Sequence, residues 1–209
     1  MDESQVLELL QKAGAFRAGH FVFTSGRHSD TYINKDALFV YTRETSALCR
    51  EIASRFADKN IDAVLGPAVA AAILAQGTAY HMSEMNGREV ASVYADKDGQ
   101  GGFVIRRGYN KVIKGKRVLV VEDLVTTGSS IKKVVDAARA AGAEVVGAIA
   151  LCNRGDVTAE MVGNPGVFDQ LLKVHLESWE EADCELCQGN IPVNTEVGHG
   201  AAYLAKKGA

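Results

Sequence analysis

An α/β fold, an open parallel sheet flanked by helices, is predicted by three observations. Short β-branched and aliphatic runs at 61–65, 90–94, 118–121, 145–151 and 171–176 alternate with stretches of helical periodicity. The run at 145–151 is apolar throughout, as expected of a strand covered on both faces. Two of the runs turn straight into a helix through a loop of small or hydroxyl-bearing residues, the connection expected in a sheet that takes its ligand at the strand carboxyl ends.

The composition sets the class. A chain of 209 residues with 47% hydrophobic residues and a net charge of −3 is long enough for one domain, 1–209, with a substantial core. Its balance is that of a soluble globular protein and not of a disordered or nucleic-acid-coating one. Met1-Asp2-Glu3-Ser4-Gln5 lacks the basic and apolar regions of a signal peptide, and no apolar stretch approaches membrane-spanning length, so a cytoplasmic protein is expected. Four cysteines in such a chain argue for free thiols. Cys49 and Cys152 lie in apolar patterns and read as core residues. Cys184 and Cys187 form one Cys-x-x-Cys, half of a zinc site, with His199 a distant candidate to complete it. The expectation is two packed or surface thiols with no protein-held metal.

Taken in order, residues 2–13 read as a helix capped by Asp2, with Val6, Leu9, Leu10 and Ala13 on one face and Gly14 at its end. Residues 21–35 read as two strand-like segments joined by a Ser-Gly turn. Arg27, His28 and Ser29 at that turn, with Tyr32 after it, suit a phosphate and a flat base, and suit a surface hairpin equally well. A helix is expected over 43–57. After the strand at 61–65, Gly66-Pro67-Ala68 leads into an alanine-rich helix over 69–80, a candidate anion cup. Residues 95–102, with three glycines and Lys97, read as a mobile loop, either a lid or a solvated tip. Asn153-Arg154-Gly155 ends the 145–151 strand, where an arginine can fork two hydrogen bonds to a planar polar ligand. The tail beyond 176 shows no clean periodicity.

The densest chemistry lies at 117–131. The strand Val118-Leu119-Val120-Val121 ends in Glu122 and Asp123, and Leu124, Val125, Thr126, Thr127, Gly128, Ser129 and Ser130 lead into a helix. Hydroxyls, a glycine and a helix amino terminus make a phosphate cup, and adjacent carboxylates can accept hydrogen bonds from a ribose diol. Acids after a strand also hold magnesium in nucleotide hydrolases, but the Gly-x-x-x-x-Gly-Lys-Ser/Thr partner is absent from the chain. Ser/Thr/Gly before a helix is also ordinary capping, and the acid pair is what makes this run more specific.

Val-Leu-Val-Val-Glu-Asp-Leu-Val-Thr-Thr-Gly-Ser-Ser resembles the phosphoribosyl pyrophosphate (PRPP) signature of the type I phosphoribosyltransferases, and Thr-Ser-Gly-Arg-His-Ser-Asp-Thr-Tyr-Ile-Asn resembles the amino-terminal motif of the orotate phosphoribosyltransferases. The resemblance implies the type I phosphoribosyltransferase fold, with a small hood from the chain termini, about 1–40 and 177–209. It implies transfer of phosphoribosyl from PRPP to orotate, with Mg2+ bound mainly through PRPP, in a homodimer whose partners are small molecules and neither nucleic acid nor membrane. Glu122 and Asp123 would hold the ribose, 126–130 the 5′-phosphate, and Lys97 the pyrophosphate, with Leu124 and Val125 also in the PRPP site. Asp123 and Lys97 would be catalytic, while Tyr32, Ile33, Thr126 and Arg154 would take orotate. The chain departs from many members at Thr24, where they carry lysine, at Ala70-Ala71, and at Asp96, Gln100 and Gly102 in the lid. A purine or other base as acceptor, and a non-catalytic PRPP-sensing regulator, are the alternatives.

Overall fold

The computed structural model describes residues 1–208; Ala209, the last residue of the expected hood segment, lies outside them. In chain order the elements are α1 (Glu3–Lys12), β1 (Phe16–Val22), β2 (His28–Ile33), α2 (Lys35–Leu38), α3 (Thr42–Arg55), β3 (Ala63–Pro67), α4 (Ala70–Asn86), β4 (Ala91–Lys97) and β5 (Phe103–Val104). There follow α5 (Tyr109–Ile113), β6 (Arg117–Val125), α6 (Ser129–Ala140), β7 (Glu144–Asn153), β8 (Phe168–Lys173), α7 (Glu185–Gln188) and α8 (Gly200–Lys207). Asp2 caps α1 through a reciprocal pair of bonds with Gln5, as its position before the apolar pattern predicts.

The main sheet has the order β5-β4-β3-β6-β7-β8. All neighbouring pairs are parallel except β4 with β5, an antiparallel edge hairpin. The sheet is buried on both faces. On β6, Leu119 and Val121 enter the core under α1, α3 and α4, while Val118 and Val120 enter the core under α6. That alternation is the period-two signature of a strand between two helical layers.

Chain direction reverses at one place in this order. The chain leaving β3 goes by α4 to β4 on one side, and the chain leaving β6 goes by α6 to β7 on the other. The crevice between the ends of β3 and β6 is the topological switch point, where ligands bind in open α/β sheets. Both candidate anion loops open there.

A second layer is formed by the antiparallel pair β1–β2. The carboxyl-terminal segment is stitched to it by backbone bonds, including Asn194 N–H to the His20 carbonyl at 2.7 Å and Trp179 N–H to the His28 carbonyl at 2.9 Å. Sequence periodicity missed this tail because between 174 and 208 only Cys184 and Gly200 are buried, so no apolar stripe marks it. The loop expected over 95–102 is shorter than predicted. Ala95, Asp96 and Lys97 continue β4, and the Asp98 carboxylate accepts from the Gln100 and Gly102 amides at 2.7 and 2.8 Å, a side-chain turn that lets strand pairing run further. The last strand sits at 168–173 and not at 171–176, because Phe168 is already in register with Ala148 of β7.

Candidate functional site

The acid pair lies at the end of β6, almost out of water: Glu122 is 6% and Asp123 4% exposed. Burying two adjacent carboxylates is unfavourable unless each finds donors. Asp123 has two, the Lys35 ammonium at 2.7 Å on Oδ2 and the Leu124 amide at 2.6 Å on Oδ1. Burial alone would lower the Lys35 pKa, but the hydrogen bond and charge of Asp123 outweigh it and the pKa is raised. Glu122 accepts the Asp123 amide at 3.2 Å and faces no cation of its own. Its pKa is pushed up to about 8, first by burial and then by the neighbouring Asp123 charge.

Beyond the acids the backbone curls through Thr126 and Thr127 to Gly128, whose φ of 72° favours glycine. A Cβ there would also meet Val157 Cγ1 at 2.9 Å. Gly128 has no side chain to cap α6, and beyond the Ser129 amide, which donates to Thr127 Oγ1 at 3.4 Å, the first amides open into a cavity of about 150 Å³ lined by residues 124–131. The cup proposed from the sequence is therefore a physical concavity.

A larger cleft of about 600 Å³ lies alongside, beneath the β1–β2 layer. Tyr32, Ile33, Lys35, Thr126 and Arg154 line it, so four residues expected to contact a base converge there. Arg154 donates to Thr126 Oγ1 at 3.2 Å and stacks on the Phe23 ring at 5.4 Å. The buried Asn153 side chain shapes the turn that presents it, accepting from the Gly155 and Val157 amides. Gly155 has no alternative, since a Cβ would fall 1.6 Å from the Thr126 carbonyl oxygen. Leu124 and Thr126 line both cavities, so cup and cleft share a wall.

Sequence reasoning missed part of this cleft. Phe23 and Gly198-His199 line it, and His199 Nε2 pairs with Thr24 Oγ1 at 2.8 Å. His199 is thus engaged in the cleft and does not join the cysteine pair. Only the backbone pairing of the tail brings these residues in, and a one-dimensional pattern carries no trace of it. His28 and Ser29, read as possible phosphate contacts, are fully buried, against His20 and the Glu177 carbonyl respectively, while Arg27 lines the cleft and pairs with Glu180 at 2.5 Å.

Lys97 is not brought to the cup. It is exposed at the end of β4, opposite Phe103 in the edge hairpin, and β3 stands between its strand and β6. The tip of that hairpin is tied to α6 by Lys133, whose ammonium donates to the Gly101 carbonyl at 2.6 Å.

The raised pKa of Glu122 has a direct consequence for stability. The folded chain keeps this proton where the unfolded chain has lost it, so stability falls as pH rises from the ordinary value of 4.5 to about 8. Denaturant unfolding of the parent should lose on the order of a few kcal/mol across that window. Glu122→Gln should flatten the dependence; an unchanged slope would show that Glu122 does not hold the proton.

A family model described as Phosphoribosyl transferase domain matches residues 39–169. The chain is 36% identical over 193 residues to an orotate phosphoribosyltransferase of Caldanaerobacter subterraneus subsp. tengcongensis, covering 92% of this chain and 96% of that one. It is 35% identical over 188 residues to that of Thermus thermophilus, covering 90% and 97%. Among solved structures, Mycobacterium tuberculosis orotate phosphoribosyltransferase in complex with Fe(III) dicitrate superposes with a TM-score of 0.67 at 25% identity, covering 83% of this chain and 97% of that one. The orotate phosphoribosyltransferase of Aeropyrum pernix gives 0.64 at 28% identity, covering 81% and 93%. With this agreement in sequence over nearly the whole length and in overall fold, the chain belongs to the orotate phosphoribosyltransferase family.

Proposed function

We propose that the protein transfers the 5-phosphoribosyl group from PRPP to orotate, giving orotidine 5′-phosphate and pyrophosphate, a step of pyrimidine biosynthesis. The observation that carries this reading is the shared wall: Thr126 belongs both to a cup fitted to a phosphate and to a cleft fitted to a flat polar base. A two-substrate transfer needs such adjacency, because most of its rate comes from holding the reacting atoms in line.

In this reading the amides and hydroxyls of 126–130 hold the 5′-phosphate, and Glu122 and Asp123 hold the ribose hydroxyls. Lys35, 2.7 Å from Oδ2, holds Asp123 in orientation, so it accepts from the diol without moving. Arg154, fixed against Phe23, offers its fork to the acidic edge of orotate, with Tyr32 and Ile33 against the ring. The bond from C1′ to pyrophosphate breaks early, and the positive charge that develops on the ribosyl group is stabilised by the Asp123 carboxylate. Magnesium, carried mainly on the oxygens of PRPP, would neutralise pyrophosphate charge. The residues fit that role: Asp123 already shares one oxygen with Lys35, which leaves the acid pair suited to outer contacts more than to a complete cage.

A homodimer in the cytoplasm completes the proposal. Val69, Ile73 and Tyr80 of the α4 face are 78%, 42% and 59% exposed, and with Phe39 and Tyr94 they border a groove of about 670 Å³. A face this apolar suits a second copy of the chain. The hairpin bearing Lys97 springs from its edge, so docking there would deliver Lys97 toward the partner's cup and onto the leaving pyrophosphate.

Incubation with PRPP, magnesium and single bases should release pyrophosphate with orotate. Release with hypoxanthine or xanthine alone would move the chain to another acceptor, and PRPP binding without turnover of any base would make it a sensor. Asp123→Asn should weaken PRPP binding about tenfold or more, equivalent to roughly 1.4 kcal/mol; unchanged affinity would remove the diol assignment. Mixing Lys97→Ala with Asp123→Asn subunits should raise activity above that of either variant alone by about a quarter of the parental level, since random pairing rebuilds one intact site per hybrid. No recovery in demonstrated hybrids would place Lys97 in its own subunit's site or outside the reaction.

A further inference from the structure

A second chemical cluster lies away from the cleft, between the β1–β2 layer and the tail. His20 of β1, His28 of β2, and Cys184 and Cys187 at the start of α7 bring four ligand atoms within 4.8 Å of one another. His20, His28 and Cys184 are buried, at 2%, 0% and 0% exposure. Both sulfurs stand 3.7 Å from His20 Nε2, Cys187 Sγ is 3.4 Å from His28 Nδ1, and the two ring nitrogens are 2.8 Å apart. A zinc ion bound by two thiolates and two imidazoles sets ligand atoms about 3.3–3.8 Å apart along the edges of its tetrahedron. The sulfur–nitrogen distances already match, and the nitrogen pair needs to open by only about half an ångström.

The hydrogen bonding points the same way. His20 Nδ1 lies 2.7 Å from the Ile191 carbonyl, which can only accept, so the proton sits on Nδ1 and Nε2 turns a lone pair into the cluster. A backbone carbonyl holding the outer nitrogen of a ligating histidine is the usual support of a metal site. His28 Nε2, the outer nitrogen of the other ring, is buried with no hydrogen-bond partner among the described residues, so hydrogen bonding alone does not account for that ring's burial.

The surroundings also call for a staple. Residues 174–208 contribute only Cys184 and Gly200 to the interior, too little apolar surface to hold a segment of that length in place. Yet this segment is ordered against β1 and β2 and carries Gly198 and His199 into the cleft. We propose that His20, His28, Cys184 and Cys187 form a structural zinc site that clamps the carboxyl-terminal segment onto the β1–β2 layer. All four positions are filled by protein, which makes the site closed, and two thiolates with two neutral imidazoles balance the ion's charge. The Cys-x-x-Cys, expected from the sequence to be two thiols without metal, is thereby completed as a site by histidines of β1 and β2.

The test uses the full chain without a histidine tag, purified from zinc-supplemented cells and freed of loose metal. Elemental analysis should give about one zinc per chain. Exchange with cobalt should produce the visible bands of a tetrahedral ion together with thiolate-to-cobalt charge transfer. The Cys184→Ser/Cys187→Ser variant should lose the metal, and Cys49→Ala should keep it. Chelation should lower the thermal midpoint of the parent and leave that of the double variant unchanged. Trace zinc after incubation with the ion, an oxygen-coordinated octahedral cobalt spectrum, or a Cys184–Cys187 disulfide in freshly isolated protein would each overturn the site. None of these readouts depends on turnover, so the site stands or falls separately from the proposed activity.

Discussion

Two buried carboxylates at the end of β6 set the terms for the rest of the molecule. Adjacent negative charges in a low-dielectric site repel each other and lose hydration, so the fold has to supply cations and amides at fixed positions or leave a proton behind. It does both. Lys35 arrives from the short helix following β2, the backbone amide of Leu124 turns back onto Asp123, and Glu122 is left poised to hold a proton. The β1–β2 layer is tied to the sheet through this ion pair, so the same contact that makes the acids tolerable also places the roof of the cleft.

The division of labour follows from topology. The strand ends at the reversal point supply backbone, hydroxyls and charge, all rigidly held by a sheet buried on both faces. The cleft beside it draws on loops and on both ends of the chain, so its walls are free to differ while the cup stays fixed. At Thr24 the wall is a hydroxyl paired with His199, a bridge between the two terminal segments.

The parallel sheet, the cup and the arginine at the end of β7 were legible because each is local: an apolar run, a loop and a helix start lie next to one another in sequence. Thr126 and Arg154 could be paired in advance because parallel neighbours put their carboxyl ends level. Lys35 carries no local mark of its role, because its partner Asp123 lies 88 residues away. The tail was illegible since its order comes from backbone pairing and from polar or sulfur side chains, none of which leaves a hydrophobic period. His20 and His28 gave no metal signal, being eight positions apart and, at His28, 156 short of Cys184, a spacing that no short motif spans.

The stitching of residues 178–200 onto β1 and β2 fixes an order of events during synthesis. A growing chain that has reached the end of β8 already contains every strand of the main sheet, the acid pair, its lysine and the cup. Its cleft still lacks a wall, because Ser178, Gly198 and His199 have yet to appear. The chain can therefore acquire the means to grip one ligand well before it can enclose the other, and it is the segment made after β8 that closes the compartment.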